Sequence, residues 1–460
     1  MKYPAFFIRK MLPVALALGT AWAARGQIGH EYGAAWAGAI GVLAVICLSG
    51  RNDWYARLPA IVALGSISWG ISGVISYGAV VAYGQAGDYL NVSYGLMMLV
   101  VIGGLYGFLG GGITGLALES SSEKKTDWAA LFTQLFVGAY LCWGFFIYEL
   151  EWLMTPPRSE MWAGCLGASC TLGWYLYRNG YRHALRTAFF SALGAGFGFG
   201  FGNFLQRMGR SSGIDFNWWN VMEYSIGFFG GLGMAYGVFS GGHWPKGRGA
   251  DKVSNNAGWV FLVLLLPMIC LIQGVNTKTM IGTGTRLAVD NPASFALNWQ
   301  WISWILSVIS MILVGWIAYR LNFRARPFQQ HHGTSLKKIV ITLTIVYLAW
   351  YILISNIISA TWLTARFSSQ HLYWVNLVVL YFLLRGKAVA PYGLTEDGLA
   401  ADVVAGSHDY PNEKPYGPTL LIAWAFVVFS ILLLSYIAIS CSPAKAAVQL
   451  RFFIVTLSIR

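Results

Sequence analysis

Apolar positions come in runs of about 20 residues along the whole chain, and short polar clusters rich in Gly, Pro, Asp and Arg separate them. Runs of that length match helices that cross a hydrocarbon layer about 30 Å thick, at a rise of about 1.5 Å per residue. A β-barrel would show alternating segments of about ten residues instead. The runs fall near 6–24, 32–50, 59–83, 92–118, 128–148, 161–177, 187–205, 219–241, 257–274, 295–319, 338–362, 370–385 and 418–440. The expected fold is an all-α polytopic membrane protein with about 13 transmembrane helices. The longest polar connection, Gly386 to Gly417, reads as a loop.

The polar positions are less regular than the spans. Between the first two spans, Arg25, Gln27, His30, Glu31 and Tyr32 arrive together, punctuated by Gly26, Gly29 and Gly33. A helix from Lys10 to Arg25 rises about 22 Å, which leaves Arg25 below the far rim of the hydrocarbon layer. A submerged guanidinium needs a partner or water. Glu31 is the near candidate, and Glu223 is the distant one.

Glu223 enters through an internal similarity. Ala-Leu-Gly recurs at 17–19, 63–65 and 192–194, each time in a span followed by a polar turn and a Gly-rich span running back. The return spans begin Glu31-Tyr32, Ser93-Tyr94 and Glu223-Tyr224. Gly38 and Gly41 follow Glu31 at the intervals at which Gly230 and Gly233 follow Glu223. The N-terminal part, 1–242, therefore reads as a unit of Gly-rich helical-hairpin repeats, all in one sense, hence parallel repeats. Residues 257–460, richer in Ile, Leu, Val and Trp, read as a C-terminal helical unit. Glycines four residues apart, as at Gly103, Gly107, Gly111 and Gly115, let helix backbones approach closely in lipid. "GGGITG" at 110–115 matches a dinucleotide-binding pattern in letters only, since it follows no strand.

Composition sharpens this picture. The chain is 57% hydrophobic and 11% charged, far below the usual charged share of about a quarter. The net charge of +13 could suggest nucleic acid. Placing the N-terminus in the cytoplasm, however, puts roughly two thirds of the Lys and Arg on the inner side, as the positive-inside rule requires. The basic charge is then topological, and nucleic acid is not an expected partner. The expected location is a cytoplasmic membrane, the inner membrane if the cell is bacterial. The first residues also resemble a secretory signal with an Ala21-Trp22-Ala23 cleavage site, but the repeat places 11–24 in the mature protein. The six cysteines show neither metal nor disulfide spacing and read as packing residues. Most of the 21 tryptophans are expected in interfacial belts. Glu149, Glu151 and Glu160 read as an exposed acidic rim, Asn91-Val92-Ser93 as a formal sequon, and His331-His332 as solvated.

The third hairpin carries a second polar set: Asn203, Gln206, Arg207, Arg210, Asp215, Asn217, Trp218, Trp219 and Glu223, with Tyr224 next to it. The second carries Tyr83, Gln85, Asp88, Asn91 and Tyr94. All lie at the outer ends of their spans. If the hairpins pack together, Arg25, Gln27, His30, Glu31, Tyr32, Asn203, Gln206, Arg207, Trp219, Glu223 and Tyr224 converge on an outward-facing polar cavity. Intramembrane ionisable groups point first to ligand or ion handling. The leading expectation is a transporter of a small polar or anionic solute. Arg25 would bind the solute, and Glu31 or Glu223 would exchange a proton. The alternatives are a membrane enzyme of glycan or acyl transfer with its site on the outer face, or a non-transporting subunit. No metal cluster, nucleophile elbow or phosphate loop supports an enzyme, and no cofactor is implied. Oligomeric state is not legible.

Overall fold

The structure, a computed structural model, describes residues 3–121, 124–242, 244–247, 251–324, 333–364, 367–386, 416–442 and 451. The His331-His332 pair and most of the 386–417 loop lie outside the described residues. Regular structure among the described residues is helical, apart from one isolated bridge between Ser121 and Gly247.

The N-terminal region contains α1 (Pro4–Arg25), α2 (Glu31–Ser49), α3 (Asn52–Ala56), α4 (Leu58–Ser72), α5 (Gly78–Tyr83) and α6 (Tyr89–Glu119). Next come α7 (Trp128–Glu149), α8 (Met161–Arg178), α9 (Arg182–Ser211) and α10 (Trp218–Phe239). The remainder is α11 (Lys252–Gly274), α12 (Thr277–Arg286), α13 (Pro292–Arg324), α14 (Gly333–Ser359), α15 (Ser369–Arg385) and α16 (Gly417–Cys441). Among the described residues, nine helices are long and apolar enough to cross a membrane, so the chain is a helical protein of membrane-spanning build.

Helix ends follow local chemistry. Asp88 caps α6 by accepting from the Asn91 N–H at 2.9 Å, and Asp127 caps α7 through the Ala130 N–H at 3.0 Å. At the other end of α6, Arg57 donates to the carbonyls of Ala117 (3.3 Å), Leu118 (3.4 Å) and Ser120 (3.0 Å). A cation there satisfies orphan acceptors and complements the helix dipole.

The run 59–83 is not one helix. It stops at Ser72, runs irregularly through Gly73 to Tyr77, and resumes as the short α5 at Gly78. Irregular backbone at membrane depth is tolerated only inside protein or beside a water-filled cavity. Here Tyr106 of α6 donates its hydroxyl to the Ile75 carbonyl at 3.1 Å, and Ile75 and Tyr77 are buried.

Six helices close a ring. α1 packs on α2, α2 on α4, α4 on α6, α6 on α9, α9 on α10, and α10 back on α1. Glycines make the tightest seams. A Cβ at Gly103 or Gly107 would collide with the α9 backbone at Ala195 or Ser191. One at Gly194 or Gly233 would collide across the α9–α10 seam. Trp69 fills the interior, against Gly38 and Gly110. Outside the ring, α14 and α15 pack on α1, and α16 lies on α6 and α9. Trp36 of α2 stacks on Tyr351 of α14 at 4.8 Å, so one core joins the two parts of the chain.

Three readings of polar or aromatic residues change. Glu160 is buried rather than part of a rim. Its carboxylate accepts from the N–H groups of Met154 and Thr155, both at 2.8 Å, and from the Trp162 indole at 2.9 Å. Asn91 is fully buried, its amide donating to Asp88 at 2.8 Å, so the sequon is not exposed. Trp22, Trp36, Trp54, Trp69 and Trp350 fill the core instead of an interfacial belt.

Candidate functional site

Three hairpins surround the ring interior, and each sends one polar side chain to the same point. Arg25 ends α1, Tyr77 sits in the break between α4 and α5, and Glu223 lies in the second turn of α10. Arg25 is 1% exposed and Glu223 fully buried. Arg25 Nη1 stands 3.8 Å from Glu223 Oε2. The Tyr77 hydroxyl accepts from Arg25 Nη1 (3.5 Å) and Nη2 (3.3 Å), and donates to Glu223 Oε1 at 2.5 Å. Tyr77 thus bridges the ion pair, cation on one side and carboxylate on the other. The guanidinium also lies 5.0 Å from the Trp22 ring, a cation–π contact.

The pairing explains how a guanidinium survives at this depth, because a buried charge without its partner costs several kcal/mol. It is incomplete, however. Arg25 Nε and Glu223 Oε2 have no hydrogen-bond partner within the protein, nor do the indole N–H groups of Trp22 and Trp69. The two indoles pack edge to face at 5.4 Å. The ion pair thus keeps one donor and one acceptor without partners, and the two indoles beyond it keep one donor each, where more than nine in ten buried polar groups normally have one.

Of the other sequence candidates, some join this point. Trp219 stacks on Tyr77 at 6.1 Å, and His30 meets the Tyr77 ring edge-on at 5.4 Å. Glu31 does not pair with Arg25. It is exposed at the start of α2, and the distant Glu223 takes the role instead. Gln27 accepts from the Ser355 hydroxyl at 2.7 Å. Tyr32 is half-exposed, and its carbonyl faces Cys270 at 3.4 Å. Tyr224 accepts from Asn376 at 3.3 Å.

A second knot holds the remaining candidates. Arg207 donates to the carbonyls of Gly84 (3.3 Å), Ala86 (2.6 Å) and Ser442 (2.7 Å). Asn203 donates to Gln206 at 3.1 Å, and Gln85 donates to Asn203 at 3.4 Å. This knot ties the second hairpin to the third, with Arg207 engaged by backbone acceptors.

The sequence reading did not single out Tyr77. The run 59–83 looks like an uninterrupted span, and the readable signal was Gly73 and Gly78 bracketing a lone tyrosine within it. Trp22 and Trp69 were absorbed into the interfacial class. Among the described residues, no group of three or more His, Cys, Asp or Glu could hold a metal ion. No family model matches the chain, and no curated protein or solved structure does either.

Proposed function

We propose that the chain is a multi-pass membrane transporter of a small polar or anionic solute, with Arg25, Tyr77 and Glu223 as its binding and coupling centre. The observation that carries this reading is a buried Arg–Glu pair that keeps an unpartnered donor and acceptor, at the meeting point of three hairpins. In the described state Glu223 holds Arg25. Protonating Glu223 removes the countercharge and leaves a desolvated guanidinium, its Nε already without a partner, free for an anion. Deprotonation returns Arg25 to Glu223 and expels the anion. One site then couples solute to proton, because the solute and the ionised Glu223 carboxylate compete for one cation and a proton on Glu223 removes the competitor. The irregular backbone at Tyr77 suits a site that must rearrange.

The wider reading is a bundle of about 13 spans built on parallel Gly-rich hairpin repeats, with a cytoplasmic N-terminus in the inner membrane of a bacterial cell. The cyclic order of the six ring helices supports the repeat, since three hairpins related by rotation about a membrane-normal axis pack in that order. The 1–242 and 257–460 units keep their proposed roles as repeat unit and supporting unit.

Proteoliposomes test the function. Uptake from a panel of small carboxylates, phosphate and amino acids is expected under an inward proton gradient. Arg25→Lys should reduce it, because a point ammonium does not replace a planar fork. Glu223→Gln should flatten its pH dependence. Purified protein that moves no solute but modifies a lipid-linked or sugar substrate would replace this reading with the enzyme.

A further inference from the structure

A different part of the molecule carries an amphiphile-shaped surface. Helices α6, α8, α9 and α16 enclose an apolar groove of 470 Å³ that includes Gly104, Phe108, Ser169, Gly173, Trp174 and Trp424. At the C-terminal end of α8 lies a polar pocket of 350 Å³ that includes Lys124, Lys125, Asp127 and Arg178. Trp174 lines both, so the two cavities adjoin at its exposed indole.

The chemistry of the two halves differs sharply. The groove is almost wholly apolar, and three of its four helices, α6, α9 and α16, are long and apolar enough to cross a membrane. Its exception is Ser169, which is 6% exposed and whose hydroxyl has no hydrogen-bond partner within the protein. In the pocket, Lys124 is held over the Tyr181 ring at 4.2 Å. Lys124 feels the charge of Glu119, but no ion pair within 4 Å joins Lys124, Lys125 or Arg178 to a described carboxylate. The acidic Asp127 is occupied in capping α7. Cations at the membrane interface above an apolar slot match an anionic head on an acyl tail.

We infer that this surface binds one anionic phospholipid of the surrounding bilayer. The phosphate sits among Lys124, Lys125 and Arg178, and an acyl chain fills the groove toward Gly104 and Trp424. A free anion would need only the pocket, and a neutral lipid only the groove. The junction at Trp174 calls for both in one molecule.

Native mass spectrometry of the purified full chain, titrated with phosphatidylglycerol or phosphatidylcholine, tests this. Each basic side chain near the head is worth roughly a fivefold change in affinity. Wild type should therefore retain one phosphatidylglycerol at least tenfold more tightly than phosphatidylcholine. The double variant Lys124→Gln/Arg178→Gln, which keeps Lys125, should shrink that preference to about fivefold or less. Gly104→Leu, which fills the groove, should weaken both lipids, and Trp174→Ala, at an exposed position, serves if that variant does not fold. Millimolar inorganic phosphate should not displace the lipid. Equal retention in wild type, an unchanged preference in the double variant, or full displacement by phosphate would overturn the assignment.

Discussion

Arg25 shows what one residue can reveal about its surroundings. Its depth below the rim follows from the 15 residues that separate it from Lys10, so the need for a partner was legible in the sequence. The partner's identity was only half legible. Glu31 lies close in sequence, but it opens a helix that faces outward there, whereas Glu223 was visible only as the repeat counterpart. Tyr77 was hidden because an apolar run conceals where a helix breaks. The three should not be equal in weight. Arg25→Ala strands a buried carboxylate and should cost about 3–5 kcal/mol. Tyr77→Phe removes one hydroxyl shared with charged groups and should cost about 1.5–3 kcal/mol. Thermal unfolding in detergent ranks them, and an equal or reversed order would remove Tyr77 as the bridge.

At the scale of elements, glycine spacing was the most legible feature, and its physical cause is backbone approach. Gly233 faces the α9 backbone with no room for a methyl group, while Gly282 in α12 has open space around its Cα. Gly233→Ala should cost about 1–3 kcal/mol or block assembly. Gly282→Ala should be neutral or stabilise by up to about 1 kcal/mol, since alanine is the better helix former. Melting temperatures of the pair separate a packing role from mere composition.

A second element-scale device lies between α2 and α4. Arg51 grips the Trp244 and Pro245 carbonyls at 2.9 and 2.8 Å, and Asp53 accepts from the Gly247 N–H at 2.7 Å. Burial pushes the Asp53 carboxyl up, but the Arg51 hydrogen bonds and charge, with Gly247, bring it below its ordinary value. A depressed acid stabilises the fold above the unfolded pKa of about 3.9 and loses that contribution as pH falls through the folded value. The protection of the Gly247 amide relative to its intrinsic exchange rate should therefore fall below about pH 4, and Asp53→Asn should bring the loss of protection to neutral pH. Exchange insensitive to both would show that Arg51 alone holds the segment.

For the whole molecule, the hydrophobic pattern foretold an all-helical chain with many spans, and nine described helices are long and apolar enough to cross a membrane, but it could not give their arrangement. A hydrophobic run states that a helix meets lipid or protein without saying which. Phe136, Tyr140 and Tyr148 of α7 remain 74%, 68% and 77% exposed at the periphery, whereas the equally apolar α2 lies deep in the core. The ring order, and with it the convergence of Arg25, Tyr77 and Glu223, belongs to tertiary packing. The central claim is that this convergence serves transport and does more than hold the fold. Uptake by proteoliposomes of the double variant Arg25→Met/Glu223→Leu, made alongside its melting temperature, tests that claim most directly. Replacing a buried ion pair with apolar side chains of similar volume is nearly neutral in itself, and the orphaned Tyr77 hydroxyl should limit the net loss to about 1–3 kcal/mol. The account predicts a folded protein in which proton-driven solute uptake is abolished. A folded double variant that transports as well as wild type would contradict it.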